Sequence, residues 1–171
     1  MKIKSGDLEN SEVIIVEGKR EGPKLAVFVG IHGIELEGVK ALERIFPFEI
    51  LKGEVYFVIA NKKAIEKRVR YVEKNLNRCF RNKEFDGVEG RTAQDLKPIL
   101  DKVDALLDVH SSISSDGVSF CVCGEHSVEV AKVLPVERVL FGLDSFVMGG
   151  TEYYMNSQKK VGICIECGTR G

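Results

Sequence analysis

A surplus of charge of either sign is missing from this chain. Its 25 Lys and Arg against 26 Asp and Glu leave a net charge of -1, which excludes a basic field for nucleic acid and an acidic tail. Long hydrophobic runs are missing too, and the longest fall far short of a bilayer span. The polar start Met1-Lys2-Ile3-Lys4-Ser5-Gly6-Asp7 has no apolar stretch of the kind that directs secretion. No membrane partner is therefore expected, and a cytoplasmic location follows by default. No internal repeat, low-complexity tract or linker interrupts the 171 residues, which suit one domain with a sizeable core. Cysteine is sparse and odd in number: Cys79, Cys121, Cys123, Cys164 and Cys167 lack the even, dense spacing of a secreted disulfide scaffold. They read as reduced thiols serving as small core residues. The sharper alternative is a four-thiolate metal site from Cys121, Cys123, Cys164 and Cys167. It is disfavoured, because Cys164 and Cys167 would point to opposite faces of a strand.

What is present is a concentration of metal-ligating chemistry at the ends of apolar segments. The chain has only three His. Two of them follow strand-like runs, in His32-Gly33-Ile34-Glu35 and in Asp108-Val109-His110. Segments 12–17, 24–30, 54–60, 105–109, 118–123 and 161–167 read as strands, the first two as a hairpin at a sheet edge across the turn Lys19–Pro23. Helical spacing marks a stretch from about Glu35 to Phe46, part of 62–72, a helix capped by Thr92 and running to Lys102, and a short helix at 127–134. Residues 73–90 read as a long loop, and 141–156 carries no clear pattern. Strands alternating with helices indicate an α/β domain with a mixed, mostly parallel central sheet and helices on both faces. Ligands of such sheets bind beyond the carboxyl ends of the strands. His32, Asn61, His110 and Glu166 all fall there.

Zinc accepts imidazole and carboxylate ligands, and a catalytic site typically keeps three protein ligands plus water. His32, Glu35 and His110 supply such a set, one Zn2+ per chain. His126, beside Glu125 and Ser127, reads as a solvated surface residue. Glu166 lies in Ile163-Cys164-Ile165-Glu166-Cys167-Gly168, an otherwise buried strand, and a buried carboxylate needs a partner. A salt bridge to Arg is the structural alternative. The functional reading is a general base acting on a zinc-bound water. Arg70, Asn75, Asn77 and Arg78 share one loop, and Arg forks bind carboxylates and stabilise oxyanions. Beside a zinc site they point to an anionic substrate.

In combination these residues resemble the succinylglutamate desuccinylase/aspartoacylase family of the zinc carboxypeptidase superfamily. The resemblance rests on Gly30-Ile31-His32-Gly33-Ile34-Glu35, Asn61-Lys62-Lys63-Ala64, Arg70 through Asn77-Arg78, Asp108-Val109-His110-Ser111 and Glu166-Cys167-Gly168. It implies a zinc carboxypeptidase-like (phosphorylase/hydrolase-like) fold and zinc held by His32, Glu35 and His110. It also implies Arg70 polarising the scissile carbonyl, Asn77 and Arg78 holding a substrate carboxylate, and Glu166 as the catalytic base. The implied activity is that of a zinc-dependent amidohydrolase acting on linear amides, a deacylase of small carboxylate-bearing N-acyl amino acids.

Two departures stand out. Aspartoacylases carry an Arg ten positions before the catalytic Glu. Here that position is Asn156, so N-acetylaspartate specificity is not expected, and Tyr153 or Tyr154 is the candidate to line the pocket, with a packed aromatic as the alternative. The chain also stops at Gly171, lacking the usual C-terminal β domain. It is expected to form a single catalytic domain over residues 1–171, compatible with truncation and with a homo-oligomer. A peptide-trimming metallocarboxypeptidase and a non-catalytic fold relative remain as alternatives.

Overall fold

The computed structural model describes residues 2–81, 85–112, 117–143 and 148–169. Parts of the expected loop at 73–90 and of the unpatterned stretch 141–156, namely 82–84 and 144–147, lie outside them. Eight strands form one sheet: β1 Lys2–Asp7, β2 Glu12–Glu17, β3 Arg20–Val29, β4 Lys52–Ile59, β5 Ala105–Ser112, β6 Phe120–Cys123, β7 Arg138–Phe141 and β8 Val161–Thr169. Their order is β1-β2-β4-β3-β5-β8-β6-β7. The centre, β4-β3-β5-β8, is parallel, and antiparallel pairing enters at β1/β2, β2/β4 and β6/β8. The helices are α1 Glu37–Ile45, α2 Lys62–Lys67, α3 Val88–Lys102, α4 Val128–Ala131 and α5 Thr151–Ser157. None among the described residues is long and apolar enough to cross a membrane.

The two-residue period of the strands sorts side chains to two covered faces. Ala26, Phe28, Tyr56, Val58 and Leu106 pack with Ala93, Leu96 and Leu100 of α3 and Met155 of α5. Their alternates Val29, Val55 and Phe57 pack with Leu42 of α1, and Ile163, Ile165 and Cys121 pack with Ala131 of α4. Each fully buried Phe, Leu or Val contributes roughly 1.5–3 kcal/mol, so both faces are firmly clamped. The strand order reverses beside β3: the chain leaves through α1 to β4 on one side, then returns through α3 to β5 on the other. That reversal opens a crevice at the carboxyl ends of β3 and β5, where His32 and His110 stand.

Two expectations are corrected. Segments 12–17 and 24–30 do not pair as a hairpin. β2 lies between β1 and β4, and β3 lies between β4 and β5. The near-continuous apolar face pattern of β3 demands cover on both faces, which only an interior position gives. Thr92 does not cap α3. The helix starts at Val88 behind Gly87, and Thr92 Oγ1 donates to the Val88 carbonyl at 2.8 Å from inside it.

Candidate metal centre

β3 ends at Gly30, whose φ of +65° turns the chain sharply out of the sheet. Gly33 then passes so close to α2 that a β-carbon would lie 2.2 Å from the Ala64 carbonyl carbon. The Gly33 N–H donates to the Arg70 carbonyl at 3.1 Å, and the Glu35 N–H to that of His32 at 3.0 Å. This tight turn brings the His32 and Glu35 side chains together, with His32 Nδ1 2.8 Å from Glu35 Oε1. From β5, His110 Nδ1 reaches Glu35 Oε2 at 2.8 Å. All three residues are buried, and their ligand atoms lie within 4.8 Å of one another. Among the described residues this is the cluster with the makings of a metal site.

Hydrogen bonds on the far side of each ring decide what faces the carboxylate. His32 Nε2 lies 3.0 Å from Asn75 Oδ1, an acceptor, so Nε2 carries the proton. His110 Nε2 lies 3.1 Å from Asp108 Oδ2 and is protonated for the same reason. In the neutral rings both Nδ1 atoms are then lone pairs turned on a carboxylate, and His32 Nδ1 makes no aligned hydrogen bond although buried. Such an arrangement is satisfied by a cation among the three groups, or by extra protons in its place. The donor set therefore fits a divalent metal, and a carboxylate or amide acceptor behind each ligating imidazole is the usual support.

The electrostatics agree. With protons on the Nδ1 atoms in place of a metal, burial works to raise the Glu35 pKa, yet the hydrogen bonds and charges of His110 and His32 together outweigh it and hold the carboxyl well below its ordinary range. Burial pushes His110 down, but Asp108 and Cys164 together more than offset that and raise it. Both shifts describe a compact set in which protons and metal compete.

The strand register places the remaining chemistry. Asp108 pairs with Cys164 and His110 with Glu166 across the parallel β5/β8 ladder. Even-numbered residues there face α5, so His110 and Glu166 stand side by side on the crevice. A cavity of about 160 Å³ opens over them, lined among others by His32, Arg70, Arg78, Glu152 and Glu166. Burial, followed by the charge of Glu35, raises Glu166 above its ordinary pKa, against the pull of His110 and His32. Arg70 Nη1 donates to Glu35 Oε1 at 3.0 Å while its side chain stays 42% exposed. Arg78 donates to the Asn77 carbonyl at 2.5 Å. Asn77 bridges loop and helix: its Oδ1 accepts from the Thr151 N–H at 3.0 Å and its Nδ2 lies 3.5 Å from His110 Nε2.

Other expected residues lie elsewhere. Tyr154 turns away from the cavity, its hydroxyl donating to Asp101 at 2.9 Å and its ring packing near Phe80. Among the described lining residues neither Tyr153 nor Tyr154 is present. The packed-aromatic alternative describes Tyr154, and α5 offers Glu152 to the cavity instead. Asn61 is a buried cap of α2, its Oδ1 accepting from the Ala64 N–H at 3.3 Å. Cys121 and Cys123 pack toward α4, whereas Cys164 lines the cavity on the opposite face, so these thiols do not converge.

Residues missed from the sequence hold the loop in place. Glu89 of α3, fully buried, accepts the N–H groups of Val72, Glu73 and Lys74 at 2.6, 3.1 and 3.2 Å. This nest fixes the segment between Arg70 and Asn75. Glu89→Leu would leave three part-buried donors without their acceptor and is expected to cost ~3 kcal/mol. The check is the urea midpoint, with Glu89→Gln losing less.

Comparison with known proteins follows the same lines. The model of the succinylglutamate desuccinylase/aspartoacylase catalytic domain matches residues 21–171. The chain is 27% identical to a probable aspartoacylase of Nostoc sp., over 85% of this chain and 55% of that one. It is 29% identical to an N-acyl-aromatic-L-amino acid amidohydrolase (carboxylate-forming) of Danio rerio, over 84% and 52%. The solved structure of an aspartoacylase family protein from Mesorhizobium loti superposes with a TM-score of 0.78 at 26% identity, covering 92% of this chain and 55% of that one. A succinylglutamate desuccinylase structure from Chromobacterium violaceum shares the fold, with a TM-score of 0.79 at 18% identity and coverage of 92% and 56%. The chain thus spans about half the length of the curated relatives it matches. With the family model matching all but its first 20 residues, the chain belongs to the succinylglutamate desuccinylase/aspartoacylase catalytic-domain family.

Proposed function

We propose that this chain is a zinc-dependent amidohydrolase that releases the amine from a small, carboxylate-bearing N-acyl amino acid. The observation that carries the reading is the convergence of two imidazole Nδ1 atoms on the Glu35 carboxylate, the two rings lining a cavity shared with Glu166 and two arginines. A zinc ion held by His32, Glu35 and His110 would supply Lewis acidity and make water a nucleophile near neutral pH.

The chain's own groups do the rest. Glu166, raised by burial, is suited to take a proton from the attacking water at its carboxylate and pass it to the departing amine. Arg70 is exposed enough to swing toward substrate and offers its guanidinium to the oxygen on which negative charge develops. Arg78 is positioned to pair with the substrate carboxylate, and the wall formed by Phe120, Val122 and Leu143 limits water around the reacting bond.

The test is amine release from a panel of N-acyl amino acids by the zinc-loaded protein, before and after chelation. Turnover that disappears with chelator and returns with zinc supports the reading. Stoichiometric zinc with no turnover across acetyl, succinyl and aromatic acyl series would overturn it.

A further inference from the structure

Glu152 is the buried carboxylate that the mechanism leaves without work. It is 5% exposed, yet it lines the cavity beside Arg78, His110 and Glu166. Its own backbone N–H serves its carboxylate, while Oε2 is buried without a hydrogen-bond partner. No described Lys, Arg or His forms an ion pair with it, and Thr151–Ser157, the helix that carries it, contains no basic residue. Burial and the nearby Asp108 charge push its carboxyl up to about 7, against weaker pulls from His110 and Arg78. A desolvated carboxylate oxygen with no partner is costly to keep, and rules broken at a cavity wall point to a ligand.

The ligand's chemistry follows from what surrounds the oxygen. An unpartnered carboxylate oxygen calls for a donor, and a cationic donor pairs with it more strongly than a neutral one. Arg70 and Arg78 line the same cavity and suit a carboxylate. The cavity therefore offers two charges of opposite sign to one small molecule. Its volume of about 160 Å³ restricts the molecule to a short side chain.

Resting on the reading of this site as an N-acyl amino acid hydrolase, we propose that Glu152 is a specificity-determining residue that receives a cationic side chain. The preferred substrate class is then a basic N-acyl amino acid, with its α-carboxylate at Arg78 and its ammonium at Glu152. No bond changes at Glu152, which touches the substrate only through a charge-assisted hydrogen bond.

The experiment uses Nα-acetylornithine, its near-isostere Nα-acetylnorleucine and the anionic N-acetylglutamate. Binding is measured by calorimetry and turnover by amine release, with wild type and Glu152→Gln, which preserves side-chain size. Zinc content and melting temperature confirm that the variant is folded and loaded. Wild type is expected to bind the ornithine compound about 10-fold or more tightly than the norleucine compound, because a site built for a donor rejects the analogue lacking it. Glu152→Gln is expected to erase that preference. Equal binding of the two in wild type, a preference that survives in Glu152→Gln, or binding of none of the three would overturn the proposal. A Glu152-dependent binding preference without turnover would uphold the cation site and sink the hydrolase reading instead.

Discussion

Glu166→Gln is expected to lower kcat by roughly 10²–10⁴-fold while leaving one zinc per chain. Glu166 reaches the crevice from β8 beside His110 of β5, and the ligand set lies on the other side of His110. An amide at that position keeps the hydrogen-bonding shape and loses the ability to accept a proton, so binding is preserved and proton transfer fails. KM should therefore change much less than kcat. The pH profile gives a second readout. If Glu166 acts as the proposed base, activity is present above its pKa and lost as pH falls through it. Burial raises that carboxyl above its ordinary range and a bound cation would pull it back, so the check is that the acid limb of kcat/KM present in wild type vanishes from the residual rate of the variant. Zinc content measured at each pH separates this limb from loss of metal through protonation of the histidines. Near-normal turnover by Glu166→Gln would remove the base assignment.

The parts of this molecule that were legible in its sequence are those where chemistry and burial act together. The interior strands β3, β4, β5 and β8 announce themselves because two covered faces require apolar residues at nearly every position. The cluster of His32, Glu35 and His110 was legible because His is scarce and stands at strand ends. β1 was not legible: Lys2–Asp7 is exposed along its whole length, so it joins the sheet through backbone pairing with β2 alone and leaves no hydrophobic pattern. The false hairpin of β2 with β3 followed, since the short link suggested pairing whereas register and burial put β4 between them. Asp108 could have been assigned, because a residue two before His110 on a strand shares its face. Asn75, Glu89 and Glu152 could not. Their roles depend on contacts across 43 residues of chain for Asn75 to His32 and on a nest of backbone donors for Glu89. For Glu152 they depend on a cavity that exists only after β5, β6, β8 and α5 assemble. A lone Glu in a short helix carries no mark of what it will face.

His110→Ala is expected to abolish stoichiometric zinc and reduce turnover below detection. In the proposed three-ligand centre, removing one ligand leaves His32 and Glu35, a pair that would hold zinc poorly. The buried Glu35 carboxylate also loses the imidazole at 2.8 Å, so it keeps its charge at greater cost and binds protons more readily. Asp108→Asn provides the graded comparison. Asp108 Oδ2 accepts from His110 Nε2 at 3.1 Å and from Thr151 Oγ1 at 2.5 Å, so it orients the ring and is not itself one of the three candidate ligands. Loss of such a support typically weakens metal affinity by ~10–100-fold, and loss of the ligand itself should exceed that range. Competition with a chromophoric chelator measures both variants on one scale, and elemental analysis counts the zinc. Urea midpoints check that each protein is folded, since truncating a buried ring also leaves a cavity. One tightly held zinc per chain in folded His110→Ala would mean that the metal lies elsewhere, and the three-residue centre would have to be abandoned.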